Sequence, residues 1–235
     1  VSIHLDRNDK DDPNTNEEAM AALRINVKSK DKELVGRLFS AKIIELALSN
    51  YPGFFAGGGV KSGGPVLIYW PALVDSKHIN EVVHFNGKSK ELKPTSQLNF
   101  EEIYYQTEPV KIPDAPKGET SHVPLGTLFG ARSGDKGGCA NLGVWAKDLD
   151  AFAFLSSFLT IEKLKELMPD LKEFKIERFD LPNILSLNFY IHDILEDGVS
   201  SNSRKDAQAK SLGEYLRAKK ANIPSSLLET LNESR

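Results

Sequence analysis

The densest concentration of reactive side chains in this 235-residue sequence runs from Gly130 to Asn141, GARSGDKGGCAN. Arg132 and Lys136 supply two cations, Asp135 a carboxylate, Ser133 a hydroxyl and Asn141 an amide, all within one short turn between strand signals. The glycines would let successive backbone N–H groups converge on an anion, which either cation could neutralise. A carboxyl or phosphate group suits such a turn, with Asp135 the candidate acid/base and Ser133 a second candidate catalytic group. The alternative is a hairpin whose glycines supply positive φ while Asp135 and Lys136 are solvated at its tip. The spacing is not that of a P-loop, because Lys136 follows Asp135 rather than a glycine.

Cys139 lies among these glycines beside two cations, conditions that would favour a thiolate if it is exposed; the alternative is a small side chain filling the start of a strand. A second cluster comprises Asn183, Asn188, Arg204 and Asp206, which could bring amide and charged groups to the glycine turn as substrate-binding partners. Its plainer reading is a turn Asn, a surface Asn and a charge pair near a helix start. The histidines His4, His78, His84, His122 and His192 form no ligand spacing with Cys139 or with one another, so no metal site and no cofactor is expected. No Gly-x-Ser-x-Gly elbow is present, which disfavours a serine hydrolase.

Composition narrows the partners. A net charge of −3 offers no field for a phosphate backbone, and nucleic acid is not expected to bind. A single cysteine excludes an internal disulfide framework and fits a reducing compartment, with cytoplasm the expectation and a mitochondrial matrix the alternative. No apolar run reaches the roughly 20 residues a membrane helix needs. The chain opens at Val1 with no initiator Met, so an upstream segment is expected to have been removed or left out.

The elements that would position these groups fall into two parts. Residues 1–18 are acidic and nearly devoid of apolar side chains, which predicts a disordered leader. Leu23, Ile25 and Val27 alternate with polar residues as in a strand, and Leu34, Val35, Leu38, Phe39, Ile43 and Leu46 recur with helical spacing over 32–48. Apolar runs at 66–70 and 82–85 predict two more strands, completing an α/β piece over 19–110. Prolines and glycines over 111–124 predict a linker. Beyond it come strands at 125–131 and 140–147, a helix from Thr160 to Met168, strands at 174–179 and 185–191, and a helix over 204–220. Strand, strand, helix, taken twice over 125–222, predicts an α+β, ferredoxin-like antiparallel sheet with two helices on one face (ββαββα). Residues 223–235 are expected to be a tail. Trp70, Tyr104, Tyr105 and Trp145 could pave a cleft, although aromatics at strand positions are more often core.

The string Leu125-Gly126-Thr127-Leu128, then Ala131-Arg132-Ser133-Gly134-Asp135-Lys136-Gly137 and Asn141-Leu142-Gly143-Val144, resembles the signature of the acyclic terpene utilisation (AtuA-like) family. The resemblance continues through Arg178-Phe179-Asp180-Leu181-Pro182-Asn183, Leu187-Asn188-Phe189, Gly198-Val199-Ser200-Ser201 and Asp206 to Gly213. Residues 22–85, with Tyr51-Pro52-Gly53 and Tyr69 to Val74, look like the end of the family's larger N-terminal domain. The resemblance therefore implies that the chain is a piece of a longer protein. It also implies a role in degrading acyclic terpenes such as citronellol and geraniol, a route that passes through branched acyl-CoA thioesters. On that footing Arg132, Lys136, Asn141, Asn183, Asn188, Arg204 and Asp206 are candidate binders of an anionic acyl-CoA or terpenoid acid, the CoA thioester being a substrate. Whether the chain is an enzyme stays open. The competing expectation is a non-catalytic module for protein contacts or self-association within a larger parent chain, as a homo-oligomer.

Overall fold

The structure, a computed structural model, describes residues 1–7, 9–47, 52–56, 63–92 and 109–233. Two compact units are present, Val1–Leu67 with Ser200–Ala207, and Ile68–Val199 with Gln208–Arg235.

In the first unit β1 (Ser2–Asp6) pairs antiparallel with β2 (Ala22–Asn26), Ile3 facing Ile25 and Leu5 facing Leu23. The leader expected to be disordered over 1–18 thus opens with a strand. Its alternation of Ile3 and Leu5 with Ser2, His4 and Asp6 matches the two-residue period of β2, so main-chain pairing and one apolar face form together. Lys10 bonds Glu18 through both main chain and side chain, at 2.9 and 2.7 Å. The helix expected over 32–48 is split into α1 (Lys32–Val35), capped by Asp31, and α2 (Arg37–Ala47). Gly36 divides them with a non-helical φ of −93° and ψ of −131°.

The second unit begins with a hairpin of β3 (Glu81–Phe85) and β4 (Lys88–Leu92), turned by Asn86 and Gly87 at φ 48° and 71°. Positive φ at both central positions matches the right-handed twist of the strands. The run 66–70, expected to be a strand, forms none: Leu67, Tyr69 and Trp70 are exposed and no ladder partner meets them among the described residues. The end of the expected linker is ordered as β5 (Thr120–Pro124), which pairs with β10 (Lys220–Pro224). The residues expected to be a tail complete β10 and then form α6 (Ser225–Glu233). A pairing between segments this far apart in sequence leaves no local periodicity to read.

The central sheet contains β6 (Gly130–Lys136), β7 (Cys139–Trp145), β8 (Ile176–Leu181) and β9 (Ser186–Ile191) in the order β6-β7-β9-β8, every pair antiparallel. β6 starts later than expected because Leu125–Thr127 is a 3-10 turn. Between the hairpins lies α3 (Leu149–Phe158), which no amphipathic period announced because Ala151 to Leu155 are buried continuously. α4 (Ile161–Leu167) follows, capped by Thr160 as the sequence suggests. The helix expected over 204–220 shrinks to α5 (Leu212–Ala218), since Ser200–Ala207 belongs to the first unit and Lys220 enters β10.

One face of the sheet carries Leu142, Val144, Leu187, Phe189 and Ile191, all buried against Phe152, Leu155, Leu164 and Leu216 of the helices. Each such side chain contributes about 1.5–3 kcal/mol of burial. Arg178 ties this face to α3 by donating to Leu159 O and Ser156 Oγ, both at 3.0 Å. The architecture is α+β, an antiparallel sheet with helices over one face, as the sequence pattern predicts. On its other face, the open face, Arg132, Trp145, Phe179 and Leu181 are exposed.

Candidate functional site

Residues directly opposed in an antiparallel ladder project to the same side, so the register assigns each candidate to a face. On the open face one row reads Gly134, Asn141, Tyr190, Glu177, and the next reads Arg132, Gly143, Asn188, Phe179. Gly130, Trp145, Ser186 and Leu181 form a third. Lys136 and Cys139 close the face at the end where β6 turns into β7.

The first two rows assemble a polar cradle. Asn141 Nδ2 donates to Asn188 Oδ1 at 3.4 Å, diagonally across the β7–β9 pair. Arg132 is exposed, and its guanidinium has no hydrogen-bond or ion-pair partner among the described residues. Between Arg132 and Asn188 stands Gly143, which puts no side chain into the gap. A Cβ added there would meet only Arg132 O at 3.6 Å, so neither backbone strain nor crowding requires a glycine. The result is a trough floored by bare backbone and walled by a free cation and two amides. The third row adds apolar surface: Trp145 is 42% and Leu181 41% exposed, and Phe179 of the neighbouring row 48%. Trp145 lies over Gly130, where a Cβ would come within 2.2 Å of its indole ring.

Ser133 and Asp135 project to the opposite, helix-bearing side. Ser133 is buried, and its Oγ accepts from Gly213 N at 2.9 Å, meeting an otherwise unpaired amide in the first turn of α5. Gly213 sits so close that a Cβ would be 3.3 Å from the backbone of Ala131 and Arg132. Asp135 lies 3.9 Å from Lys210 Nζ. Strand alternation therefore separates the two catalytic candidates from Arg132, Asn141 and Asn188.

The glycine turn has a local explanation. Gly137 adopts φ 64°, and a Cβ on Gly138 would be 2.1 Å from Glu196 O, so the turn is packed against main chain. Leu195 N donates to Gly138 O at 2.8 Å. Lys136 Nζ bonds Asp135 O at 3.0 Å. The glycines of the turn are thus accounted for by chain reversal and close packing.

Of the second cluster, Asn188 lies in the cradle. Asn183 is exposed in the 3-10 turn Pro182–Ile184, at the end of the sheet away from Gly137. Arg204 and Asp206 belong to the first unit. Sequence reasoning gave no role to Tyr190, Glu177 or Gly143, and weighed His192 only as a metal ligand. Tyr190 was legible as the next polar-face residue after Asn188 in an alternating strand, whereas Gly143 gains meaning only from the register.

At the Cys139 end, the hydrogen bond between Tyr190 and Cys139, together with partial burial, holds the phenol proton above its ordinary range. Tyr190 packs edge-on against His192, centroids 4.9 Å apart, and His192 Nε2 lies 2.9 Å from Glu177 Oε1. Lys175 first, then His192, keeps the Glu177 carboxyl below its ordinary value. Among the described residues no group of three or more His, Cys, Asp or Glu is placed to hold a metal ion, and no helix is long and apolar enough to cross a membrane.

Neither the curated proteins nor the solved structures yield a match to the chain. Two family models do match: residues 1–85 fit the acyclic terpene utilisation family protein AtuA, and residues 123–222 fit the AtuA ferredoxin-like domain. The second match spans the four-stranded sheet, its helices and all the residues of the cradle. Together the two cover most of the sequence, and the chain belongs to the acyclic terpene utilisation (AtuA) family.

Proposed function

We propose that the open face of the sheet binds the carboxyl or thioester end of a branched acyl compound, as the free terpenoid acid or its CoA thioester. The observation that carries this reading is an exposed Arg132 with no partner among the described residues, in the same row of the sheet as Asn188 with only Gly143 between them. A guanidinium pairs with a carboxylate through two parallel N–H···O bonds, and amide N–H groups suit a carbonyl oxygen. Trp145, Phe179 and Leu181 offer exposed apolar surface beside the cradle for the branched chain. Membership of a family of acyclic terpene utilisation fits a ligand of that composition. On this face Tyr190, directly opposite Asn141 and holding its proton, is better placed than Asp135 to donate to the ligand.

Titration calorimetry with branched acids and their CoA thioesters tests the reading. Arg132→Gln should weaken binding about tenfold or more, the worth of a hydrogen bond to a charged group. Unchanged affinity in that variant would remove the basis of the assignment.

A second reading rests on a different observation: Trp145, Phe179 and Leu181, with Ile184 at 65% exposure, form apolar surface suited to self-association. Phe179→Glu should then shift a sedimentation profile toward smaller species. A wild-type profile that does not change with concentration would count against it.

A further inference from the structure

The first unit contains a polar surface whose donors have no acceptors. Ser2 Oγ, His4 Nε2 and Arg24 Nε are buried atoms, each without a hydrogen-bond partner. His4 stands opposite Arg24 in the β1–β2 ladder and Ser2 opposite Asn26, so the three side chains share one face. Directly opposed Cβ atoms lie about 5 Å apart and diagonal ones about 7–8 Å, so the three side chains start from neighbouring positions of that face. Asp6 is the sole carboxylate on that face of the hairpin and is diagonal to Arg24, yet it accepts from Lys205 Nζ at 3.2 Å. The Arg24 charge is therefore left uncompensated within the hairpin.

A donor atom withdrawn from water without an acceptor is costly, and Ser2 Oγ, Arg24 Nε and, as a donor, His4 Nε2 are three such atoms; an unsatisfied buried group can mark the place of a water or an ion. Arg24 offers its Nε–H, Ser2 its hydroxyl, and His4 an N–H in the Nε2–H tautomer or as imidazolium. We propose that Ser2, His4 and Arg24 form a binding site for a phosphoryl oxyanion, as free phosphate or as a phosphate monoester. Three donors arriving from two strands match the oxygens of a tetrahedral anion, whereas a planar carboxylate has only two to offer. Lys205 keeps Asp6 from competing for Arg24 and adds a second positive charge nearby.

Calorimetric titration of the full chain with inorganic phosphate, glycerol phosphate and acetate tests it. Phosphate should bind, acetate about tenfold more weakly or not at all, and Arg24→Gln should weaken phosphate at least tenfold. His4→Gln should weaken it several-fold, while Arg132→Gln leaves it unchanged. Glycerol phosphate binding more tightly than phosphate assigns the site to an ester, and weaker binding assigns it to the free ion. Circular dichroism checks each fold; if Arg24→Gln is unfolded, Arg24→Lys, which keeps the charge but loses the Nε–H, should still weaken phosphate. The proposal is overturned if folded wild type binds no phosphate, if the folded Arg24 variants bind it normally, or if Arg132→Gln alone abolishes binding.

Discussion

Asn141 and Asn188, 47 positions apart in the chain, are joined by an amide hydrogen bond on the open face of the sheet. The bond occupies one N–H of Asn141 and the Asn188 oxygen, and leaves the two N–H groups of Asn188 without a partner among the described residues. Orienting an amide in this way reduces the rotamer entropy lost when a ligand carbonyl binds. Asn188 is thus presented by Asn141, and both depend on the β7–β9 register.

Gly143→Val separates binding from folding. A Cβ there meets only Arg132 O at 3.6 Å, and a β-branched residue suits a strand. The variant should keep or raise stability, by up to about 1 kcal/mol, while the filled trough lowers ligand affinity about tenfold or more. Urea unfolding and calorimetry on the same preparation read the two effects.

Ser133→Ala should do the reverse. It leaves Gly213 N–H buried without its acceptor, at a cost of about 1–3 kcal/mol. Chemical denaturation should show that loss. Ligand affinity should change little, because Ser133 projects away from the cradle.

How much of this was legible in sequence follows from the range of the interactions. The alternation of Leu185, Leu187, Phe189 and Ile191 was enough to set Asn188 on a polar face, and Thr160 announced the start of α4. The grouping of Arg132 with Asp135 and Ser133 was not separable by proximity along the chain, since a strand sends neighbours to opposite sides. The partnership of β5 with β10 and the significance of Gly143 depend on contacts between distant segments. The glycine turn looked like an anion nest because glycines serve both nests and close packing, and only the approach of Glu196 O to Gly138 shows which applies.

Gly130→Ala should displace Trp145, because the added methyl would lie 2.2 Å from the indole. The ring is partly exposed and can swing away, so the expected sign is a change in indole emission with a modest loss of stability. Recording it in a Trp70→Phe background isolates Trp145. An unchanged spectrum would mean that the ring does not rest on Gly130.

The Tyr190 phenol, raised above its ordinary range by its bond to Cys139 and by partial burial, favours the folded state while it is protonated. That contribution is complete below the unfolded-state pKa and is lost as pH rises through the higher folded value. Tyr190→Phe should flatten the alkaline arm of a stability–pH curve. Cys139→Ser should bring the phenolate absorbance transition of Tyr190 back toward the ordinary value. For Glu177, held low by Lys175 and His192, the contribution is present above the ordinary carboxylate value and is lost as pH falls through the lower folded one.

The central claim, that Arg132, Asn141 and Asn188 form one acyl-binding cradle, is tested most directly by nuclear magnetic resonance. Side-chain amide signals of Asn141 and Asn188 and the Arg132 Nε–H would be followed while a branched acyl-CoA or its free acid is added. The account predicts that these signals and the Gly143 backbone amide move together on one binding curve, with the Asn183 side chain unmoved. Saturable binding that leaves all three side chains unshifted, or shifts only residues of the glycine turn, would contradict it.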